Sequence, residues 1–184
     1  MQNKGFSVIC LLIFNISLFA QDYTAFPEKL DPDGFTGVLV QIDSIYISGQ
    51  PEEASFEMLK AKGVTMVVNL RTEKEMNDRD RVPFDEKQVV EDLGMSYVHI
   101  PLGGDEHPYT REALDTFADK LAAAEGKVLL HCTVAWRASH MWAAYLIAYK
   151  DFPSAKAIEY AKAINFGSYP LEGLLGKKMI IEFK

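Results

Sequence analysis

Cysteine is almost missing from this chain. Two are present among 184 residues, Cys10 and Cys132, and the first falls in a leader-like segment. No disulfide framework can hold the fold, so stability has to come from a packed core. Positive charge is also short. Nineteen Lys and Arg stand against 26 Asp and Glu, a formal net charge of −7. That balance argues against a nucleic-acid partner or an anionic membrane surface, and any affinity for phosphate must be built locally. Long apolar runs are lacking apart from residues 6–19, too short for a comfortable membrane span. Metal-ligand spacing is lacking too: His99, His107 and His140 form no recognisable set with acids, so no metal and no cofactor are expected. The sequence says nothing about oligomeric state.

What is present begins with that apolar run. Lys4 precedes Phe6–Phe19, which is interrupted only by small or polar residues such as Ser7, Asn15 and Ser17, and Ala20 stands before Gln21-Asp22. This pattern reads as a secretory signal peptide over residues 1–20, implying a secreted or periplasmic protein with no integral membrane segment after cleavage. Ile9 is bulky where a lipidation site wants a small residue, so Cys10 is not expected to carry lipid. Cleavage would leave Cys132 as a lone thiol, an unusual feature in an exported protein. Residues 21–36, rich in Pro, Asp and Gly, read as a leading arm, and 37–184 as one domain.

Within that domain, strand and helix signals alternate. Residues 38–42 and 45–47 are short strands about a turn at Asp43-Ser44, and Pro51 opens a helix that ends at Gly63. Residues 65–70 form a buried strand. The alternating charges of 71–83 read as a solvated loop. A helix over 85–93, a strand over 95–100 and a glycine-rich loop at 103–108 follow. Thr110 caps a helix running to Glu125. Strand 127–131 leads to Cys132, and helices are expected over 138–149, 154–164 and part of 171–178. The fold class is therefore α/β, a single domain with a mostly parallel central sheet flanked by helices. Sites in such sheets lie beyond the carboxyl ends of the strands, where Arg71, the 101–109 loop and Cys132 all fall.

The segment His131-Cys132-Thr133-Val134-Ala135-Trp136-Arg137-Ala138-Ser139 is the most informative in the chain. A cysteine at a strand end, a short loop and an arginine at a helix start make an anion-binding nucleophile site. Loop amides and the helix N-terminus can converge on one oxyanion, and the same positive field favours a thiolate. Arg137 offers a planar fork that matches two phosphate oxygens. His131 is expected to buttress the loop and point away from the anion, because neighbours on a strand alternate. Trp142 is expected in the core. Trp136 either walls the pocket or packs inward.

Together with Ser48-Gly49-Gln50-Pro51, Val67-Val68-Asn69-Leu70-Arg71 and Ile100-Pro101-Leu102-Gly103-Gly104, this segment resembles the cysteine-based protein tyrosine and dual-specificity phosphatase superfamily. Within it, the chain is most similar to the bacterial beta-lactamase-hydrolase-like phosphatases. The resemblance implies a dual-specificity-phosphatase-like fold and hydrolysis of a phosphomonoester through a phosphocysteine at Cys132. Thr133, Val134, Ala135 and Trp136 would line the phosphate with Arg137, and Ala138 and Ser139 would flank it. Asp105 would be the general acid, with Glu106 as its substitute. Arg71 would add a second phosphate contact, unless it belongs to the charged loop that follows it. The partner would be a phosphorylated substrate or a small oxyanion.

The chain departs from the superfamily in three ways. Four residues, not five, separate Cys132 from Arg137. The loop holds no glycine, so Ala135 and Trp136 must keep negative φ or accept strain. Ala138 stands where a hydroxyl usually follows the arginine, with Ser139 one position later. The four-residue loop is also that of rhodanese-like sulfurtransferases, which would use a Cys132 persulfide. The missing glycine and hydroxyl leave open a non-catalytic phosphate-binding pseudophosphatase.

Overall fold

The computed structural model describes residues 25–167 and 170–179, and the signal-peptide reading of residues 1–20 lies outside them. Apolar, β-branched runs supply the strands. β1 (Glu28–Lys29) pairs antiparallel with β2 (Leu39–Ile42), which turns through Asp43-Ser44 into β3 (Ile45–Ser48). The described part of the arm is therefore joined to the sheet, and Phe35 makes a further bridge to Pro51. Helix α1 (Glu53–Ala61) buries Phe56 and Leu59 and starts two residues after Pro51. Gly63, at φ +90°, turns the chain into β4 (Val64–Asn69). Two short helices follow, α2 (Glu73–Met76) and α3 (Glu86–Asp92), then β5 (Ser96–His99). Helix α4 (Arg111–Ala122) has Thr110 as its N-cap, bonded to the Ala113 amide. β6 (Lys127–His131), α5 (Trp136–Tyr149), α6 (Ser154–Ile164) and α7 (Leu171–Leu175) complete the described elements.

The six strands form one sheet in the order β1-β2-β3-β6-β4-β5. β3, β6, β4 and β5 are mutually parallel, and the antiparallel additions sit at the β1–β2 edge. The α/β class, mostly parallel and flanked by helices, is as the sequence predicts. One face carries α4 to α7 over a core that includes Val68, Leu130, Phe117 and Trp142, and the other carries α1 and α3 over Phe56, Leu59, Val67 and Leu129. Residues on successive strand positions thus enter two different cores, which is why the central strands are apolar without alternation. β6 lies between β3 and β4, so its carboxyl end emerges at the middle of the sheet. No helix among the described residues is long and apolar enough to cross a membrane.

Two sequence expectations change. Residues 71–83 are not simply a solvated loop: Arg71 and Val82 are buried, and Thr72 opens α2 with a capping box in which Glu75 reciprocates. Helix α5 begins at Trp136, two residues earlier than expected, which places Arg137 inside its first turn.

Candidate functional site

Cys132 follows the last residue of β6 and is fully buried and unpaired with other cysteines. Its amide faces the Ser48 carbonyl at 3.4 Å, and the Thr133 carbonyl accepts from the Gln50 amide at 3.0 Å. Val134 bridges to Gly49 in an isolated antiparallel pair. Only glycine fits at 49: an added Cβ would lie 1.7 Å from the Thr36 carbonyl oxygen and 3.0 Å from that of Thr133. The loop thus takes its path from the segment that leaves β3.

Ala135 resolves the missing glycine. It adopts φ +62°, ψ +5°, left-handed backbone with a Cβ present, at a cost of about 1–2 kcal/mol. Strain is accepted rather than avoided. The turn lets α5 start at once, and its first-turn amides have no partners inside the helix.

Arg137 is held on three sides. Its Nη1 donates to Glu75 Oε2 at 2.7 Å, to the Leu102 carbonyl at 2.8 Å and more weakly to that of Leu70 at 3.2 Å. Its Nη2 donates to Glu75 Oε1 at 2.7 Å and to the Thr133 hydroxyl at 2.8 Å. Glu75 is itself saturated, since its oxygens also accept from the Thr72 amide and from the hydroxyls of Thr72 and Thr133. Burial, the largest influence on its carboxyl, would push that group up. The hydrogen bonds from Arg137, Thr72 and Thr133 more than reverse this and hold it at about 2. The fork the sequence assigned to phosphate is therefore occupied end-on by a carboxylate. Of the five N–H groups of a guanidinium, Nε–H is left over, beside the Nη2 hydrogen now on Thr133.

Arg71 lies behind this pair and is only 2 % exposed. Its Nη1 donates to Gln50 Oε1 at 2.6 Å, its Nη2 to the Glu75 carbonyl at 3.3 Å, and its Nε lies 3.8 Å from Glu75 Oε1. Burial lowers its guanidinium, against the attraction of Glu75 and Glu86. His131 points into the protein, as strand alternation requires. Its Nε2 lies 3.0 Å from Glu86 Oε1, and both side chains are buried.

Asp105 sits on a tight turn after β5. Gly103 and Gly104 take φ +136° and +69°, and the Gly103 amide bonds the His107 carbonyl at 2.7 Å. The base of this turn touches the site, because Leu102 supplies the carbonyl on Arg137. Its far end is tied to α2, with His107 Nε2 3.0 Å from Glu73 Oε2. Asp105 and Glu106 at the tip are exposed.

The remaining expected site residues divide by exposure. Val134 is 40 % exposed at the loop's crest, while Ala138 and Ser139 are fully buried. The Ser139 hydroxyl faces the carbonyls of Trp136 and Asn165 at 2.8 and 2.9 Å. Trp136 packs against His140 with ring centroids 4.6 Å apart and close to Gly167, so it walls the loop on the α6 side. Trp142 is in the core, as expected. Tyr109, which the sequence did not point to, is half-buried. Burial raises its phenol, and Arg137, Cys132 and Glu75 all act on it electrostatically. Glu75 and Glu86 were likewise missed. For Glu75 a signal existed in the Thr-x-x-Glu spacing of a capping box.

A strand-end thiol, an immobilised guanidinium and a helix start make a socket for a tetrahedral oxyanion. The family model for the beta-lactamase hydrolase-like protein, phosphatase-like domain, matches residues 39–148. A beta-lactamase hydrolase-like protein from Agrobacterium fabrum is 35 % identical over 97 residues, 52 % of this chain. The match spans only 22 % of that relative's length. A solved phosphatase-family protein from Shewanella putrefaciens CN-32 is 31 % identical and covers 78 % of this chain and 91 % of its own, with a TM-score of 0.60. P. aeruginosa TpbA, solved with pTyr, shares the fold at 20 % identity and a TM-score of 0.58, over 77 % of this chain and 80 % of its own. The chain belongs to the beta-lactamase hydrolase-like family, in its phosphatase-like domain, on a scaffold of the protein tyrosine and dual-specificity phosphatase type.

Proposed function

We propose that this chain is an exported cysteine-dependent phosphatase that hydrolyses a phosphomonoester through a phosphocysteine. The observation that carries the reading is the Glu75–Arg137 pair. A carboxylate fixed on one edge of the guanidinium leaves Nε–H open for one phosphate oxygen, and the outer Nη2 hydrogen reaches a second once it exchanges the Thr133 hydroxyl for it, with the thiol on the adjacent strand end. Donors placed before reaction, where charge sits in the transition state, are the main source of rate in phosphoryl transfer.

The Cys132 sulfur forms its bond to phosphorus as the bond to the leaving oxygen breaks, and Asp105 gives its proton to that oxygen. Water then forms a bond to phosphorus while the S–P bond breaks, and the Asp105 carboxylate takes the water proton. Both protons are accounted for, and no cofactor takes part. Arg71 supports the loop's field from behind Glu75. Residues 1–20 act as the leader and are cleaved.

The test is hydrolysis of an aryl phosphate by the purified chain. Turnover inhibited by vanadate and indifferent to chelator is expected. Cys132→Ser should abolish it while retaining oxyanion binding, and Arg137→Lys should lose roughly 10²–10³-fold, the scale of one preorganised donor. Normal turnover by Cys132→Ser would sink the assignment.

A second reading, oxyanion binding with little turnover, draws on two observations. Ala138 has no hydroxyl to help the thiolate leave, and the Ser139 hydroxyl is turned to backbone carbonyls. Vanadate binding without release of the phenol would identify it. Cys132-dependent thiocyanate from thiosulfate and cyanide would instead identify sulfur transfer.

A further inference from the structure

Glu86 is a buried carboxylate, 2 % exposed, that phosphoryl transfer as described above does not use. It receives three side-chain donors, each from the carboxyl end of a different strand of the site. Gln50 Nε2, beyond β3, lies 2.6 Å from Oε2; Asn69 Nδ2, at the end of β4, lies 2.7 Å from Oε1; His131 Nε2, at the end of β6, lies 3.0 Å from Oε1. Neither amide is free to turn over. Gln50 Oε1 accepts from Arg71 Nη1 at 2.6 Å, and Asn69 Oδ1 accepts from the Arg71 amide at 2.7 Å. Arg71 is a donor on both counts, so both amides must present their NH₂ groups to position 86. That position is a socket that calls for an acceptor on each of those two sides, and the Tyr97 hydroxyl, 3.0 Å from Asn69 Nδ2, stands beside it.

We propose that Glu86 is a positioning residue for the nucleophile. It locks His131, and with it the strand end that delivers Cys132, to the strand ends that carry Gln50, Asn69 and Arg71. Glutamine has nearly the same shape but brings an NH₂, which must face either Gln50 or Asn69 donor to donor, and Arg71 forbids either partner from flipping. The role rests on Cys132 being the reactive thiol, and so on the function proposed above.

The polarity argument names its own rescue. In the double variant Gln50→Glu with Glu86→Gln, the carboxylate at 50 accepts from Arg71 and from the new amide, whose oxygen still accepts from His131 and Asn69. The charge count is unchanged, and only the 3.2 Å bond from Gln50 Nε2 to the Pro51 carbonyl is lost. The experiment compares wild type, both single variants and the double variant in three readouts. These are the second-order rate of Cys132 alkylation by iodoacetate, kcat on an aryl phosphate, and thermal unfolding. Each single variant should lower the alkylation rate and kcat by about tenfold or more, and the double variant should return to within about threefold of wild type, a strong coupling between neighbours. Singles equal to wild type, or a double variant no better than the worse single, would overturn the proposal. So would a fall in kcat that tracks the loss of folded protein while alkylation of the folded fraction is unchanged. If Glu86→Gln does not fold, the double variant carries the test: folded protein with restored labelling supports the socket, and an unfolded double variant sinks it. A wild-type chain that labels at Cys132 but hydrolyses no phosphomonoester would refute the phosphatase reading and leave alkylation to judge Glu86.

Discussion

The loop after β6 and the loop after β5 meet at the same guanidinium and are built in opposite ways. In the first, Thr133 is bonded through its carbonyl and its hydroxyl, the Val134 carbonyl accepts from Asn165 Nδ2 at 2.6 Å, and Arg137 is gripped by Glu75 and Leu102. One residue even holds a strained backbone. In the second, a single 2.7 Å bond closes a glycine turn whose acidic tip faces solvent. In the proposed mechanism the charge-stabilising half of the site is preorganised, while the group assigned to proton transfer is carried on a turn anchored at its ends by Leu102 and His107, whose geometry a bound substrate would complete.

The largest effect that would sharpen this contrast is at Asp105. Asp105→Asn should slow phenolic substrates with poor leaving groups by about 10²–10⁴-fold, the usual worth of general acid catalysis, and leave activated ones nearly untouched. Kinetics across a leaving-group series measure this. A uniform loss would mean the tip merely shapes the turn, and Glu106→Gln would then be the next variant to assay.

Glu75 tests the rigid half. Glu75→Gln removes the charge that holds Arg137, and kcat/KM should fall about 10–100-fold, the scale of losing one or two charge-assisted hydrogen bonds. Its pH signature is separate. Because the folded-state carboxyl sits at about 2 against an ordinary 4.5, its contribution to stability is complete above 4.5 and is lost as pH falls toward 2. Acid unfolding of Glu75→Gln, followed by circular dichroism, should therefore be flatter than wild type in that window. Identical acid profiles would show that the pair adds nothing to the folded state.

The smallest effect is at Ala135. Glycine adopts the left-handed backbone without a Cβ clash, so Ala135→Gly should stabilise by about 1 kcal/mol in urea unfolding with activity retained. A loss of stability would mean that the alanine methyl, fully buried, is worth more in packing than its strain costs.

The contrast also explains what could be read beforehand. His131 to Ser139 is contiguous, and a strand running into a loop and then a helix leaves a local trace, so Cys132 and Arg137 were legible together. Their acidic partners were not. Glu75 lies 62 residues from Arg137 and Glu86 lies 45 from His131; Glu75 sits in an alternating charged run that looks solvated, and Glu86 opens a helix where a first-turn acid is ordinary. Arg71 had two readings, phosphate contact or charged loop. In the folded chain it is buried and bonded to Gln50 and to the Glu75 carbonyl, a placement that depends on tertiary packing no local pattern encodes. The Thr72–Glu75 spacing was readable as a helix start, but nothing in it says that the capping carboxylate will also reach an arginine. The sheet was legible in outline because the central buried strands are short, continuous apolar runs bounded by turn residues. The two-residue β1 was not, since Glu28 and Lys29 pair only through their backbone.

The place of β6 in the sheet has a consequence for how the protein acquires its reactivity. β6 is the last strand among the described residues but inserts between two earlier ones, pairing Val128 with both Ile45 and Met66. A nascent or partly folded chain can form the β2–β3 hairpin from local contacts. The thiol, the two arginines and the carboxylates that hold them come together only when this distant strand closes the middle of the sheet, a slow, non-local step. On the proposed chemistry, the competence of the cysteine is thus an all-or-none report on completed folding, and a partly folded chain has no assembled site with which to act.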